Sequence, residues 1–307
     1  MIGKICGTGA YVPPNVMDND DLANLVKTSD EWIKERTGIA RRHIAQEENT
    51  VSMAVKSAER ALENAKISVE EIDFIIVSTI SSNVILPCAA CEVQKEIGAV
   101  NATCFDLNAA CSGFLFAYNT AQAYISSGIY QTGIVIGAEC LSNLVDWKDR
   151  GTCILFGDGA GAVVLKSEEG TKLPIVTHSD GKKANALTCG QNDFIHMDGQ
   201  EVFKFAVKQV PQCICELLEE SHLQKEKIDY FILHQANKRI VEAVAKRLKI
   251  EIEKFPMNLQ EYGNTSSASI PILLDEMNQK GLLKRGMKII ISGFGAGLSW
   301  GASLVEW

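Results

Sequence analysis

Three short stretches carry side chains able to do covalent chemistry. Residues 106–114 read DLNAACSGF and set Cys111 just ahead of the apolar run GFLFAYNTAQAYI. Residues 229–234, DYFILH, end a strand-like run on His234, and residues 261–271, EYGNTSSASIP, hold Asn264 just before an apolar helix. A cysteine opening a long helix feels the positive end of the helix dipole. That favours the thiolate, the form that attacks an electrophile near neutral pH. Ala109, Ala110, Ser112 and Gly113 leave room beside it for a substrate carbonyl, and the amide at the helix start can donate to a developing oxyanion. Each residue also has a plainer reading. Free cysteine is commonly buried as a small hydrophobe, histidine at a strand end is often a satisfied core residue, and Gly-Asn-Thr-Ser reads as a turn or helix cap. Together they supply one nucleophile and two hydrogen-bond donors.

The elements that must position these groups repeat along the chain. Residues 61–76, ALENAKISVEEIDFII, align without a gap on 217–232, LLEESHLQKEKIDYFI. Each copy is a helix end, a polar turn and an apolar strand. KICGTGAYV has a partner in LPIVTHSDG (173–181), GIVIGAE (133–139) in MKIIISGFG (287–295), and GDGAGAVVL (157–165) in GAGLSWGASLV (295–305). Strands alternating with helices predict an α/β chain of βαβ units with covered sheets. Two copies predict two similar lobes, residues 1–169 carrying the cysteine and 170–307 carrying the histidine and asparagine, with a boundary in the stretch 168–172. A site between such lobes is expected.

Composition narrows the class. The chain has 307 residues, 46% hydrophobic and 22% charged, with a formal net charge of −8. That is enough for a large core, and it argues against nucleic acid as a partner. No apolar run is long enough for a membrane span, and the amino terminus, MIGKICGTGAYVPP, lacks the features of a signal peptide. The ten cysteines follow no disulfide-scaffold spacing, which predicts a cytoplasmic protein with reduced thiols. Cys88 and Cys91 lack the second half-site a zinc ion needs. Cys213 and Cys215 are separated by one residue on a helix and face different ways. GFGAG and GDGAGA lack the helix and the later acidic residue of a dinucleotide fingerprint.

The whole chain resembles the 3-ketoacyl-acyl-carrier-protein synthase III (KAS III) family of the thiolase-fold superfamily. The resemblance rests on TSDEWIKERTGIARRHIA (28–45), DLNAACSGF (106–114), FGDGAGAVVL (156–165), GQEVFKFAV (199–207), LHQANKRI (233–240), YGNTSSASIP (262–271) and SGFGAGLSWG (292–301). It implies a thiolase-like duplicated fold, two similar lobes in a layered αβαβα arrangement, and the initiating condensation of bacterial type II fatty-acid synthesis. Cys111 would take an acyl group from acyl-CoA, acetyl or short and branched. Malonyl-acyl carrier protein would then lose carbon dioxide, and its enolate would attack the acyl-cysteine. His234 and Asn264 would donate to the enolate, and the amides of Cys111 and Ala296 would form a second oxyanion hole. Ala296 stands where many relatives have glycine. No resident cofactor is implied, since the CoA thioester is a substrate.

The same resemblance assigns the binding surfaces. Thr28, Trp32, Arg36 and Arg150 would hold the CoA nucleotide, Trp and Arg being suited to stack on adenine and pair with phosphate. Phe203, Ala206 and Asn237 would line the pantetheine tunnel. Gln200 stands where relatives often have Asn. Lys204, Gln235, Arg239, Lys246 and Arg247 would dock the acidic carrier protein through a local basic patch. Leu86, Phe156 and Phe294 would bound the acyl pocket, Leu86 reaching it from the other subunit of a homodimer paired through CFDLN-type strands. Leu86 replaces a commoner aromatic, and segment 182–195 departs from the usual pattern, so acyl-chain preference stays open. The readings that compete are a KAS III-like acyltransferase of specialised metabolism, an HMG-CoA synthase, a Cys-His-Asn hydrolase and a catalytically silent relative. HMG-CoA synthase chemistry resembles one using an additional glutamate base, and no motif here places one. The papain-type cysteine motif is absent.

Overall fold

The computed structural model describes residues 1–171 and 173–307; of the expected boundary stretch 168–172, Lys172 lies outside the described residues. The strands of the two principal sheets are β1 Ile2–Tyr11, β2 Phe74–Ser78, β3 Thr103–Leu107, β4 Thr132–Glu139, β5 Gly159–Glu168, β6 Ile175–Ser179, β7 Tyr230–Leu233, β8 Lys288–Gly295 and β9 Ser299–Glu306, with short two-stranded ribbons beside them. The principal helices are α1 Asp30–Thr37, α2 Thr50–Ala65, α3 Ala89–Ile97, α4 Gly113–Ser126, α5 Gly199–Glu220, α6 Lys238–Leu248 and α7 Ser269–Gln279. One sheet runs β1-β5-β4-β2-β3 and the other β6-β9-β8-β7.

The two sheets are built alike. In each, two outer pairings are antiparallel and the next is parallel: β1 with β5, β5 with β4 and β4 with β2 in the first, and β6 with β9, β9 with β8 and β8 with β7 in the second. Each strand pair read from the sequence repeat occupies matching positions. Strand β3 is the exception, pairing parallel with β2 and having no counterpart among the described residues of the second sheet.

Burial explains the layering. β4 and β8 are buried along nearly their whole length, as expected of strands covered on both faces. Helices α4 and α7 lie between the sheets: Phe114, Leu115 and Tyr118 of α4 and Leu273, Leu274 and Met277 of α7 pack with Phe74 and Val135 on one side and Ile232, Ile289 and Ile291 on the other. Helices α2 and α3 cover the outer face of the first sheet, and α5 and α6 that of the second. The result is five layers, αβαβα.

Helix α7 opens on a turn, Ser266–Ala268, that presses on β4. A Cβ at Gly137 would collide with the Ser267 carbonyl oxygen and lie 3.0 Å from Ala268 Cα. Backbone cannot yield as a flexible side chain does. Gly137→Ala should therefore cost about 1–3 kcal/mol, read as a lower denaturation midpoint with an unchanged m-value.

Candidate active site

The expected nucleophile sits in the turn Ala110–Ser112 that leads into α4. Cys111 is 8% exposed. Its neighbour Ala110 has φ +47°, and Ser266, which lines the same small pocket, has φ +48°. Left-handed backbone at non-glycine residues costs of order 1–3 kcal/mol and persists where surrounding structure enforces it. Here β8 enforces it: a Cβ at Gly295 would fall 2.8 Å from Cys111 Cβ. The sequence reading of a thiolate favoured by the helix start is corrected. Burial pushes the Cys111 thiol up to about 11 from 9.0, and the Ser266 hydroxyl pulls it part of the way back. Desolvation disfavours the charged form, so the resting group is a thiol.

Asn264 is clamped by the first lobe. Its N–H donates to Leu155 O at 2.8 Å, and its carbonyl accepts from Gly157 N at 3.1 Å. The side-chain Oδ1 accepts from Ser266 N at 2.9 Å, which leaves the Nδ2 donors for the cavity. His234 continues the line of β7, its N–H donating to Ser292 O at 2.9 Å. Its ring meets Phe294 edge-on with centroids 5.1 Å apart, and burial lowers its pKa to about 3. The imidazole is therefore neutral at working pH. Cys111, His234, Asn264, Phe156 and Phe294 all line one cavity of about 290 Å³.

That cavity runs outward to Trp32, Arg36, Phe203, Asn237 and Arg239, where it opens into a wider mouth that Lys204 also lines. The guanidinium carbons of Arg36 and Arg150 lie 4.9 and 4.7 Å from the centre of the Trp32 ring system. Thr28 Oγ1, nearby in sequence, is buried without a hydrogen-bond partner. Asn237 ties the two lobes, donating to Arg36 O at 3.0 Å and accepting from Arg239 N at 2.8 Å. Beside Cys111 lies a second pocket of about 50 Å³, lined also by Ile80, Leu141, Phe156, Leu187, Cys189, Ile195 and Ala296.

Two family models match: 3-oxoacyl-[acyl-carrier-protein (ACP)] synthase III over residues 105–181 and its C-terminal counterpart over 218–307. A β-ketoacyl-[acyl-carrier-protein] synthase III of Clostridium acetobutylicum is 50% identical over 99% of this chain and 98% of the relative. The chain belongs to the synthase III family. It is an acyltransferase of the condensing type. The crystal structure of 3-oxoacyl-[acyl-carrier-protein] synthase III from Aquifex aeolicus VF5 superposes with a TM-score of 0.97 at 45% identity, covering 99% of this chain and 100% of that one. The priming β-ketosynthase of the R1128 polyketide biosynthetic pathway gives 0.96 at 33% identity, with 99% and 96% covered.

Two residues assigned through the synthase III resemblance lie elsewhere than expected. Ala206 is fully buried and faces the core beneath α5 rather than the tunnel. Gln235 is 1% exposed, its amide donating to Leu233 O and accepting from Asn258 N, so it presents nothing to a carrier protein. Lys246 and Arg247 are exposed in the last turn of α6, about 12 Å along the helix axis from its start at the mouth, where a carrier protein docked at that mouth would extend over them. Leu86, expected to enter the pocket of another subunit, is 82% exposed and lines neither cavity described above. Cys88 and Cys91 sit 3.4 Å apart, sulfur to sulfur, at the start of α3. Sequence reasoning did not single out Glu139, buried at the end of β4 with Ser81 Oγ donating at 2.6 Å and Ile80 N at 3.1 Å. An acid closing an otherwise apolar strand was the available signal.

The raised thiol sets a measurable rate law. With a pKa of about 11 against 9.0, the thiolate fraction at pH 7–8 is about 100-fold below that of an unperturbed cysteine. Iodoacetamide labelling of Cys111, followed by peptide mapping, should keep climbing from pH 8 to beyond 10. A plateau near pH 9 would refute this.

Proposed function

We propose that Cys111 takes an acyl group from acyl-CoA and passes it to malonyl-acyl carrier protein in a decarboxylating Claisen condensation that starts fatty-acid chains. The observation that carries this reading is the convergence of a buried thiol, a neutral histidine and an amide with free donors at the blind end of one tunnel. In the first step Cys111 sulfur bonds the acyl carbon, the carbon–sulfur bond to CoA breaks, and the thiol proton ends on the departing CoA sulfur. A histidine with a pKa of about 3 is a poor base, so its role is to donate. In the second step the malonyl thioester loses carbon dioxide. Negative charge moves onto its carbonyl oxygen, where His234 and Asn264 supply hydrogen bonds. The enolate carbon then attacks the acyl carbon, and the electron pair returns to Cys111 sulfur. The amides of Cys111 and Ala296 hold the tetrahedral oxyanion. No cofactor takes part.

Trp32 with Arg36 and Arg150 takes the CoA nucleotide, Thr28 joins them, and Phe203 and Asn237 guide the pantetheine arm. Lys204 and Arg239 meet the carrier protein at the mouth, although Lys204 already pairs with Glu201 at 2.9 Å. The assembly is a homodimer joined through β3, the exposed edge of the first sheet, which carries Leu86 toward the partner's pocket. The lobes divide at residues 169 and 170, and the enzyme works in the cytoplasm. No described helix is long and apolar enough to cross a membrane.

Intact-mass spectrometry after mixing with acyl-CoAs tests the first half-reaction. One adduct mapped to Cys111 and absent from Cys111→Ala is expected; no adduct from any CoA would sink the proposal. His234→Ala and Asn264→Ala should still load acyl groups yet lose about 100–1000-fold in condensation. Malonyl-acyl carrier protein should be used in strong preference to malonyl-CoA; the reverse would favour a relative serving specialised metabolism.

The inner pocket of about 50 Å³ holds about four water-sized groups. Loading rates should be highest for acyl groups of about two to five carbons and fall steeply for octanoyl-CoA. Equal loading of octanoyl and acetyl would overturn that limit.

A further inference from the structure

We propose that Ser269 is a positioning residue that fixes the tautomer of His234, and this rests on the condensing reaction proposed above. Ser269 is the first residue of α7 and is 2% exposed. The capping position is held by Ala268, so this helix start has no side-chain cap bond. The hydroxyl is spent elsewhere. Its Oγ lies 2.7 Å from His234 Nδ1 and accepts from Gln235 N at 3.2 Å.

Counting protons decides the direction. A hydroxyl has one proton to give and two lone pairs. Gln235 N–H occupies one lone pair. Among the described residues the hydroxyl proton has one acceptor, His234 Nδ1. If Nδ1 carried the imidazole proton instead, both groups would present hydrogens to each other or the serine proton would be stranded in a buried site. A stranded buried donor costs about 1–3 kcal/mol, which is about 5–150-fold in the tautomer ratio. Nδ1 therefore accepts, and the imidazole proton resides on Nε2. Because burial holds the ring neutral, Nε2–H is its single donor, and the ring lines the cavity shared with Cys111 and Asn264. The other tautomer would turn a lone pair toward the enolate oxygen and repel it.

The corresponding arrangement fixes Asn264, whose Oδ1 accepts from Ser266 N. Both donors are thus set from the segment 264–269, one through backbone and one through Ser269.

Nitrogen-15 NMR of histidine-labelled enzyme reads the tautomer directly and does not depend on turnover. Wild type should show a protonated Nε2 and a bare Nδ1 for His234, assigned with His234→Ala. Ser269→Ala should mix the tautomers, lower condensation about 10–100-fold, and change acyl loading of Cys111 by less than about threefold. Ser269→Thr, which keeps the hydroxyl, should restore both the spectrum and condensation. A protonated Nδ1 in wild type overturns the proposal, as does Ser269→Ala with an unchanged spectrum or wild-type condensation. If Ser269→Ala does not fold, the wild-type spectrum and Ser269→Thr still decide. Failure of the wider functional reading would show separately, as wild-type enzyme that neither loads nor condenses.

Discussion

The structure depends on a close approach inside the molecule. Two turns, each at the start of a central helix, are pressed against the sheet of the opposite half. The Cys111 turn meets β8 at Gly295, and the Ser267 turn meets β4 at Gly137. Glycine at both places lets backbone touch backbone. The contact excludes water from the space between, and every electrostatic property of the site follows from that exclusion. It raises Cys111, lowers His234 and raises Glu139, because each charged form loses hydration when buried.

The two turns are copies. The offset that aligns 61–76 with 217–232 also places Ala110 on Ser266, Cys111 on Ser267 and Gly113 on Ser269. Ala110 and Ser266 share a left-handed backbone. Asn108 and Asn264, likewise superposed, make the same turn, each Oδ1 accepting an N–H two residues on. What differs is the side chains. Where Gly295 packs on Cys111, its counterpart Glu139 bonds Ser267 at 2.8 Å. Where Gly113 lies against Ser78, its counterpart Ser269 reaches His234. One frame, used twice, yields chemistry on one side of its approximate dyad and structural pairing on the other.

This explains what the sequence made legible. Cys111, His234 and Asn264 stand at element ends, where apolar runs stop and polar residues begin, and such boundaries are visible without coordinates. The strand repeat was visible for the same reason. Side-chain direction was not. Ala206 and Phe203 are three apart on α5, yet one enters the core and the other the tunnel. Gln235 adjoins His234 but turns inward. Ionisation was hidden too, because a helix start argues for a thiolate only while the cysteine remains wet. Ser269 resembled any serine opening a helix, and only its distance to Nδ1 distinguishes it.

The hydrogen bonds around Glu139 and its burial both favour its neutral form. Ser267 Oγ lies within hydrogen-bond reach of both Glu139 Oε1 and Ser78 O, at 2.8 and 2.9 Å, but owns one proton. A protonated Glu139 donating to Ser267, with Ser267 donating to Ser78 O, satisfies all three groups. Burial raises the Glu139 pKa in the same sense. The thiol, the imidazole and this carboxyl are then all uncharged. In a dry cavity a fixed negative charge would oppose the enolate at close range. A fixed positive one would lose too much hydration to persist. Neutral, pre-aimed donors avoid both penalties, so the full charge handled between the lobes is the substrate's own, brought in on the malonyl carboxylate and moved by decarboxylation onto the enolate oxygen.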